Sequence, residues 1–147
     1  MITAYLDDTS VGDEHTTQGR TITESDLVGF AMFSGDWHPI HADAEYAAAD
    51  ERFGGRIAHG ALVLSVALGL VTFWPPAMKA FYGIDKLWFV APTRIGDTIH
   101  VATEVLEVTP RGADGGLVTS RFTVRNQRGE DVLVAQLKSF VARKPTP

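Results

Sequence analysis

The segment FSGDWHPIH, residues 33–41, places one carboxylate, two imidazoles and a proline within a single short stretch. Asp36, His38 and His41 are two and three positions apart, and a loop bounded by Gly35 and fixed by Pro39 can bring the three side chains into one small volume. A carboxylate beside an imidazole makes an acid/base pair whose protonation is tunable around neutral pH. The plain alternative is a polar loop whose imidazoles bond only to nearby backbone. These residues alone leave both readings open.

A second stretch, AHGA at residues 58–61, opens the most apolar part of the chain. The first amides of a helix have no intrahelical acceptor and lie at the positive end of its dipole, so they can hold a carbonyl oxygen as it gains negative charge. Gly60 lets a ligand come close to the backbone there. A purely packing role for Gly60 and a capping role for His59 fit the same residues. Taken together, the two stretches fit proton chemistry next to a carbonyl, such as adding water to an α,β-unsaturated acyl thioester or removing it.

A metal site is the competing reading, with Asp36, His38, His41 and His59 as oxygen and nitrogen ligands. No H-E-x-x-H or other defined spacing supports it, and Pro39 restricts how His38 and His41 share one ion. Ser34 and Ser65 lie in no G-x-S-x-G elbow, which leaves nucleophilic serine chemistry without a motif. His15 and His100 read as bland surface histidines. Trp37, Phe73, Trp74, Tyr82 and Trp88 read as core, with Trp37 the exception, since its place in the site loop could make it a pocket wall.

Positioning these residues requires a particular series of elements. Thr23 followed by Asp26 signals a helix start, Leu27, Phe30, Ala31 and Ser34 share one face, and Gly35 ends the helix. Pro39 keeps residues 36–42 from continuing it, so the site residues are expected on a loop. Asp43 is an N-cap for a second helix over 44–51, closed by Gly54 and Gly55. A third, over about 59–73, is apolar nearly all round, which places it at the centre of the fold with every side covered.

Beyond Pro75 and Pro76 the period changes to that of strands, over 81–90, 97–108, 117–125 and 132–142, with a first strand near 17–22. Short turns between them favour antiparallel pairing. The expectation is an α+β domain, an antiparallel sheet around a central helix.

At 147 residues the chain is the size of one domain, here expected over 1–147 with a loosely tied polar arm at 1–16 and a flexible tail at 144–147. A net charge of -5 argues against a general electrostatic grip on nucleic acid or an anionic membrane. The absence of cysteine excludes disulfides and thiolate chemistry. No basic start followed by an apolar run marks a secretory signal, and the apolar stretch 60–76 falls short of the roughly 20 residues of a span. A cytoplasmic protein is the expectation.

FSGDWHPIHADAEYA resembles the hydratase motif of the MaoC-like family, which runs aromatic, small, Ser, Gly, Asp, any residue, Asn, Pro, aliphatic, His. RIAHGALVLS resembles that family's helix start and FVAPTRIGDTIHVATEVLEV its late hairpin, so the resemblance spans about residues 17–143. It implies a hotdog fold, a sheet wrapped round a long helix, paired as a homodimer or higher homo-oligomer with the active site near the subunit interface. It also implies an (R)-specific enoyl-CoA hydratase or 3-hydroxyacyl thioester dehydratase. No metal or organic cofactor is implied, the CoA or acyl carrier protein being part of the substrate.

In the roles the resemblance carries over, Asp36 and His41 act on the water and the Gly60 amide polarises the thioester carbonyl. Ser65 matches a serine near the pair in some relatives, and His38, His59 and Trp37 are supporting or substrate-binding residues. The chain departs from the motif at His38, where asparagine is usual; the imidazole either makes the same orienting bond or signals a polar or branched acyl group. A hotdog thioesterase, or a subunit of a heteromeric dehydratase inactive without its partner, are the alternatives.

Overall fold

Thr23 and Asp26 cap the first helix reciprocally: the Asp26 amide donates to the Thr23 hydroxyl and the Asp26 carboxylate accepts from the Thr23 amide. Helix α1 spans Glu24–Ser34 in the computed structural model, which describes residues 1–145. Leu27 and Ala31 face inward, and Gly35 closes the helix at φ 78, a left-handed conformation that favours glycine.

The expected loop over 36–42 is shorter than anticipated. Pro39 starts a helical turn, α2 (Pro39–Ala42), because the first helical position has no use for the amide hydrogen that proline lacks. His41 therefore sits on a helix rather than in the loop. The Asp43 side chain accepts from the Glu45 and Tyr46 amides and caps α3 (Ala44–Ala49).

Helix α4 (Gly60–Leu70) ends before the expected 73. Ile2 and Phe73 form a parallel bridge, with Trp74 donating to the Ile2 carbonyl and Ile2 to that of Thr72, which draws the chain into extended form ahead of Pro75.

The sheet comprises β1 (Glu14–Thr16), β2 (Arg20–Thr21), β3 (Met78–Phe89), β4 (Thr98–Pro110), β5 (Gly115–Arg125) and β6 (Asp131–Ala142). Its order is β1-β4-β5-β6-β3 with β2 also on β4, and every pair is antiparallel. The strand expected near 17–22 is divided in two. From Thr16↔Ala102 to Arg20↔Ile99 one chain takes an extra residue, and the ladder bulges between.

Leu62, Val63 and Ala67 of α4 pack on inward residues of the sheet such as Val101, Phe122, Val124 and Leu133. Each large apolar side chain buried this way contributes about 1.5–3 kcal/mol. The opposite stripe of α4, Ala61, Ser65 and Gly69, is exposed. The expectation that this helix is covered on all sides is thus not met within one chain.

Residues 1–16 are polar but not loosely tied. Ile2 and Leu6 join Ala77, Val105, Val118 and Val141 in a second apolar cluster, and Asp7 and Asp8 pair with Arg143 and Lys144. Of the expected tail at 144–147, residues 146 and 147 lie outside the described residues. Among those described, no helix is long and apolar enough to cross a membrane.

Candidate active site

Asp36 is the first residue after the αL turn at Gly35, and its backbone is held from both sides. Its amide donates to the Ser34 hydroxyl at 3.2 Å and its carbonyl accepts from His59 Nε2 at 3.0 Å. Its carboxylate accepts from the His38 amide at 3.1 Å, which turns the side chain toward α2. The carboxylate itself remains exposed.

His41, on α2, donates from Nδ1 to the Ile57 carbonyl at 2.8 Å. A carbonyl only accepts, so Nδ1 carries the proton and Nε2 is left with a free lone pair. Burial pushes the His41 pKa below its usual 6.5 against the opposing effect of the Ile57 bond, and the neighbouring His59 lowers it further. The side chain is therefore neutral near pH 7, with Nε2 ready to accept a proton.

His59 lies directly beneath. Its ring stacks on that of His41 with centroids 3.9 Å apart and planes 28° from parallel, while Phe30 packs at 5.0 Å. His59 is 2% exposed, and its bond to the Asp36 carbonyl puts the proton on Nε2. Its Nδ1 is buried with no hydrogen-bond partner. His59 thus brackets the site, tying the Asp36 backbone to the start of α4.

Asp36, His41 and His59 each offer a ligand atom within 4.8 Å of the others. An ion bound by imidazole lies in the ring plane about 2 Å from the nitrogen. With ring centroids 3.9 Å apart and planes 28° from parallel, His41 and His59 lie face to face rather than edge-on to a common ion. His38 does not complete such a site, because its Nδ1 accepts from the Ile40 amide.

His41 and Gly60 both line a cleft of about 480 Å³ whose other walls are mainly apolar, among them Phe53, Val63, Phe89 and Val132. Gly60 is the first residue of α4, so its amide has no intrahelical acceptor. A Cβ at this position would lie 2.8 Å from ring atoms of Phe89, so only glycine lets that ring close over the helix start.

The structure thus gathers Asp36, His41 and His59 around one volume and puts His41 and Gly60 on one cleft. Trp37 is 52% exposed and does not line this cleft. Ser65 donates to the Ala61 carbonyl at 2.7 Å from the exposed stripe of α4 and stands apart from the cleft. Tyr82 and Trp88, read as core, are each 66% exposed on the edge strand β3.

Sequence reasoning missed two participants. The Ile57 carbonyl sets the His41 tautomer, and its place just before AHG was its one available signal. Phe89 walls the cleft, and nothing in the strand period separates such a wall from a core residue.

Residues 8–126 match the MaoC like domain family. Over 128 residues, 86% of this chain, the sequence is 38% identical to Protein MaoC of Klebsiella aerogenes, of which it spans 34%. It is 40% identical over 106 residues to 3-hydroxybutyryl-CoA dehydratase of Methylorubrum extorquens, covering 72% of this chain and 66% of that protein. Against the (R)-specific enoyl-CoA hydratase of Rhodospirillum rubrum identity is 34% over 110 residues, 75% of each chain.

Among solved structures, the MaoC-like dehydratase from Rhodospirillum rubrum superposes with a TM-score of 0.85 at 32% identity, covering 98% of this chain and 100% of that one. A Mycobacterium tuberculosis protein described as a double hotdog fold gives 0.85 at 26% identity, covering 98% of this chain and 46% of that one. The sheet and α4 therefore form the hotdog fold.

Proposed function

The chain belongs to the MaoC-like domain family, and from that premise we propose that it catalyses the reversible hydration of a trans-2-enoyl thioester to an (R)-3-hydroxyacyl thioester. The observation that carries this reading is a carboxylate oxygen of Asp36 within 4.8 Å of a ring nitrogen of His41, whose Nε2 is free and which shares a cleft with Gly60. The (R) outcome and the thioester substrate rest on the activities named for the relatives.

In this mechanism the thioester carbonyl oxygen lies at the α4 N-terminus, where the Gly60 amide and the helix dipole stabilise the enolate-like charge that builds as the β-carbon is attacked. Asp36 takes one proton from water while the oxygen bonds to the β-carbon, and His41 Nε2 accepts a hydrogen bond from the same water and orients it. The pair then returns a proton to the α-carbon, which restores its starting state. Because the two groups titrate together, the proton belongs to the pair rather than to either member. Acid/base transfer and oxyanion stabilisation account for each step without a cofactor.

The direct test is incubation of the purified protein with a short trans-2-enoyl-CoA. Loss of the conjugated-thioester absorbance, with chiral analysis returning the (R)-3-hydroxyacyl product, is the expected result. Release of free CoA thiol would instead identify a thioesterase, and an inactive protein that gains activity only with a second, different chain would identify a heteromeric subunit.

Gly60→Ala separates the oxyanion role from a packing role. The backbone of Gly60 is ordinary helix, so alanine favours the helix by up to about 1 kcal/mol. The displaced ring belongs to Phe89, which is 53% exposed and can swing aside into the cleft. The expected variant is folded with an undiminished thermal midpoint, yet turns over at least about tenfold more slowly because ring and methyl crowd the carbonyl site. Equal turnover would mean that no substrate carbonyl docks closely against this helix start.

We also propose that two copies associate. Strand β3 is a sheet edge carrying exposed Phe81, Tyr82 and Trp88, and so many apolar side chains beside unpaired backbone call for a partner. Sedimentation at a dimer mass is expected; a monomer across the micromolar range would exclude it.

A further inference from the structure

His38 stands where the motif of residues 33–41 otherwise has asparagine, and its surroundings show what it does. Helix α2 is a single turn, too short to hold together by its own hydrogen bonds. Pro39 has no amide hydrogen, and each of the other α2 amides ends on His38. The Ile40 amide donates to His38 Nδ1 at 3.2 Å, and those of His41 and Ala42 donate to the His38 carbonyl at 2.9 and 3.3 Å. The His38 amide in turn donates to the Asp36 carboxylate at 3.1 Å. One residue thus joins the carboxylate of the proposed acid/base pair to the turn that carries its imidazole.

We propose that His38 is a positioning residue, an imidazole N-cap that fixes α2 and thereby aims His41 Nε2 at the water. Asparagine caps helices by accepting an amide hydrogen bond on its side chain, and the His38 Nδ1 lone pair supplies the equivalent acceptor. Accepting from Ile40 commits His38 to the tautomer with its proton on Nε2, so the ring has no basic nitrogen left to take a proton from water. The side chain is exposed and does not line the cleft, and its ring centre lies 6.2 Å from that of His41. Selection of a polar or branched acyl group is accordingly not its task.

The kinetic half of this proposal rests on the hydratase reading above, so the test carries a second, substrate-free readout. The variants are His38→Asn, His38→Ser and His38→Ala. Asparagine and serine keep a side-chain acceptor without an imidazole, whereas alanine removes it. With a short trans-2-enoyl-CoA, H38N and H38S are expected within about threefold of the parent in kcat. H38A loses about 10- to 100-fold in kcat, the cost of a misaimed catalytic group, with KM changed far less.

The NMR signal of the proton on His41 Nδ1, held on the Ile57 carbonyl, reports the same geometry with no substrate present. It is expected to persist in H38N and H38S and to broaden or shift in H38A. Because His38 is exposed, the thermal midpoint shows whether all three variants fold. H38N and H38S as slow as H38A would mean that the imidazole itself does chemistry, and would overturn the proposal. So would H38A with unaltered kcat and an unaltered His41 signal. If the parent protein proves inactive on enoyl thioesters, the hydratase reading fails while the NMR comparison still decides the capping role.

Discussion

Asp36→Asn lowers kcat/KM for enoyl-CoA hydration by at least about a hundredfold while the protein keeps its fold. The substitution is chosen because it removes one property and preserves the geometry around it. An amide oxygen at position 36 still accepts from the His38 amide, now at 3.1 Å, and the main-chain carbonyl still takes the His59 bond. The side chain is exposed, so no core contact is lost. What disappears is the negative charge able to take a proton from the attacking water. Steady-state rates on a short enoyl-CoA, with a thermal melt as control, provide the check. A folded D36N variant with near-parental turnover would remove Asp36 from the chemistry and with it the proposed mechanism.

His41→Ala has an effect of similar size, and the double variant D36N/H41A is expected to be no worse than about the slower single one, since the two groups act as one unit. The parent enzyme carries a related signature in its pH profile. Burial, reinforced by His59, places the His41 pKa below 6.5 in the folded chain. Activity that needs a neutral Nε2 is then full at pH 7 and falls through a limb centred below 6.5, a limb absent from what activity H41A retains.

Stability follows with a definite sign. In the unfolded chain His41 titrates near 6.5, while in the folded chain it binds its proton only at lower pH. Between those values the unfolded state holds more protons, so stability declines as pH falls from 6.5 through the folded pKa, and H41A lacks that part of the decline. Urea unfolding of both proteins between pH 5 and 8 measures the difference. Parallel stability curves for the two would show that His41 is not desolvated in solution.

The features readable from the chain alone are those held by short-range chemistry. Thr23 with Asp26, Asp43 before Ala44 and Gly35 after Ser34 are caps whose partners lie within four residues, and each marks a helix end where expected. The four late strands lie within three residues of their expected bounds, with burial alternating along β4 and β6, and Asp36, His41 and Gly60 are marked by carboxylate, imidazole and helix-start glycine in two short stretches.

Local rules also explain the misreadings. Pro39 bars continuation of α1 because proline cannot sit inside a helix, but it suits the first position of the next one, where His38 accepts the following amides. Residues 1–16 looked unanchored because the strands that bury Ile2 and Leu6 come over 70 residues later.

What only the tertiary structure decided is the direction of each group. The Ile57 carbonyl lies 16 residues from His41, and it alone puts the proton on Nδ1 and frees Nε2. His59 lies 23 residues from Asp36; beside the burial of His41, its nearness lowers that pKa, and its stack sets the two rings face to face rather than edge-on to a common ion. Phe89 reaches the Gly60 helix start from a sheet edge. Residue types are written in the chain, but tautomer, burial and aim arise where distant segments meet, and a local pattern holds no record of that meeting.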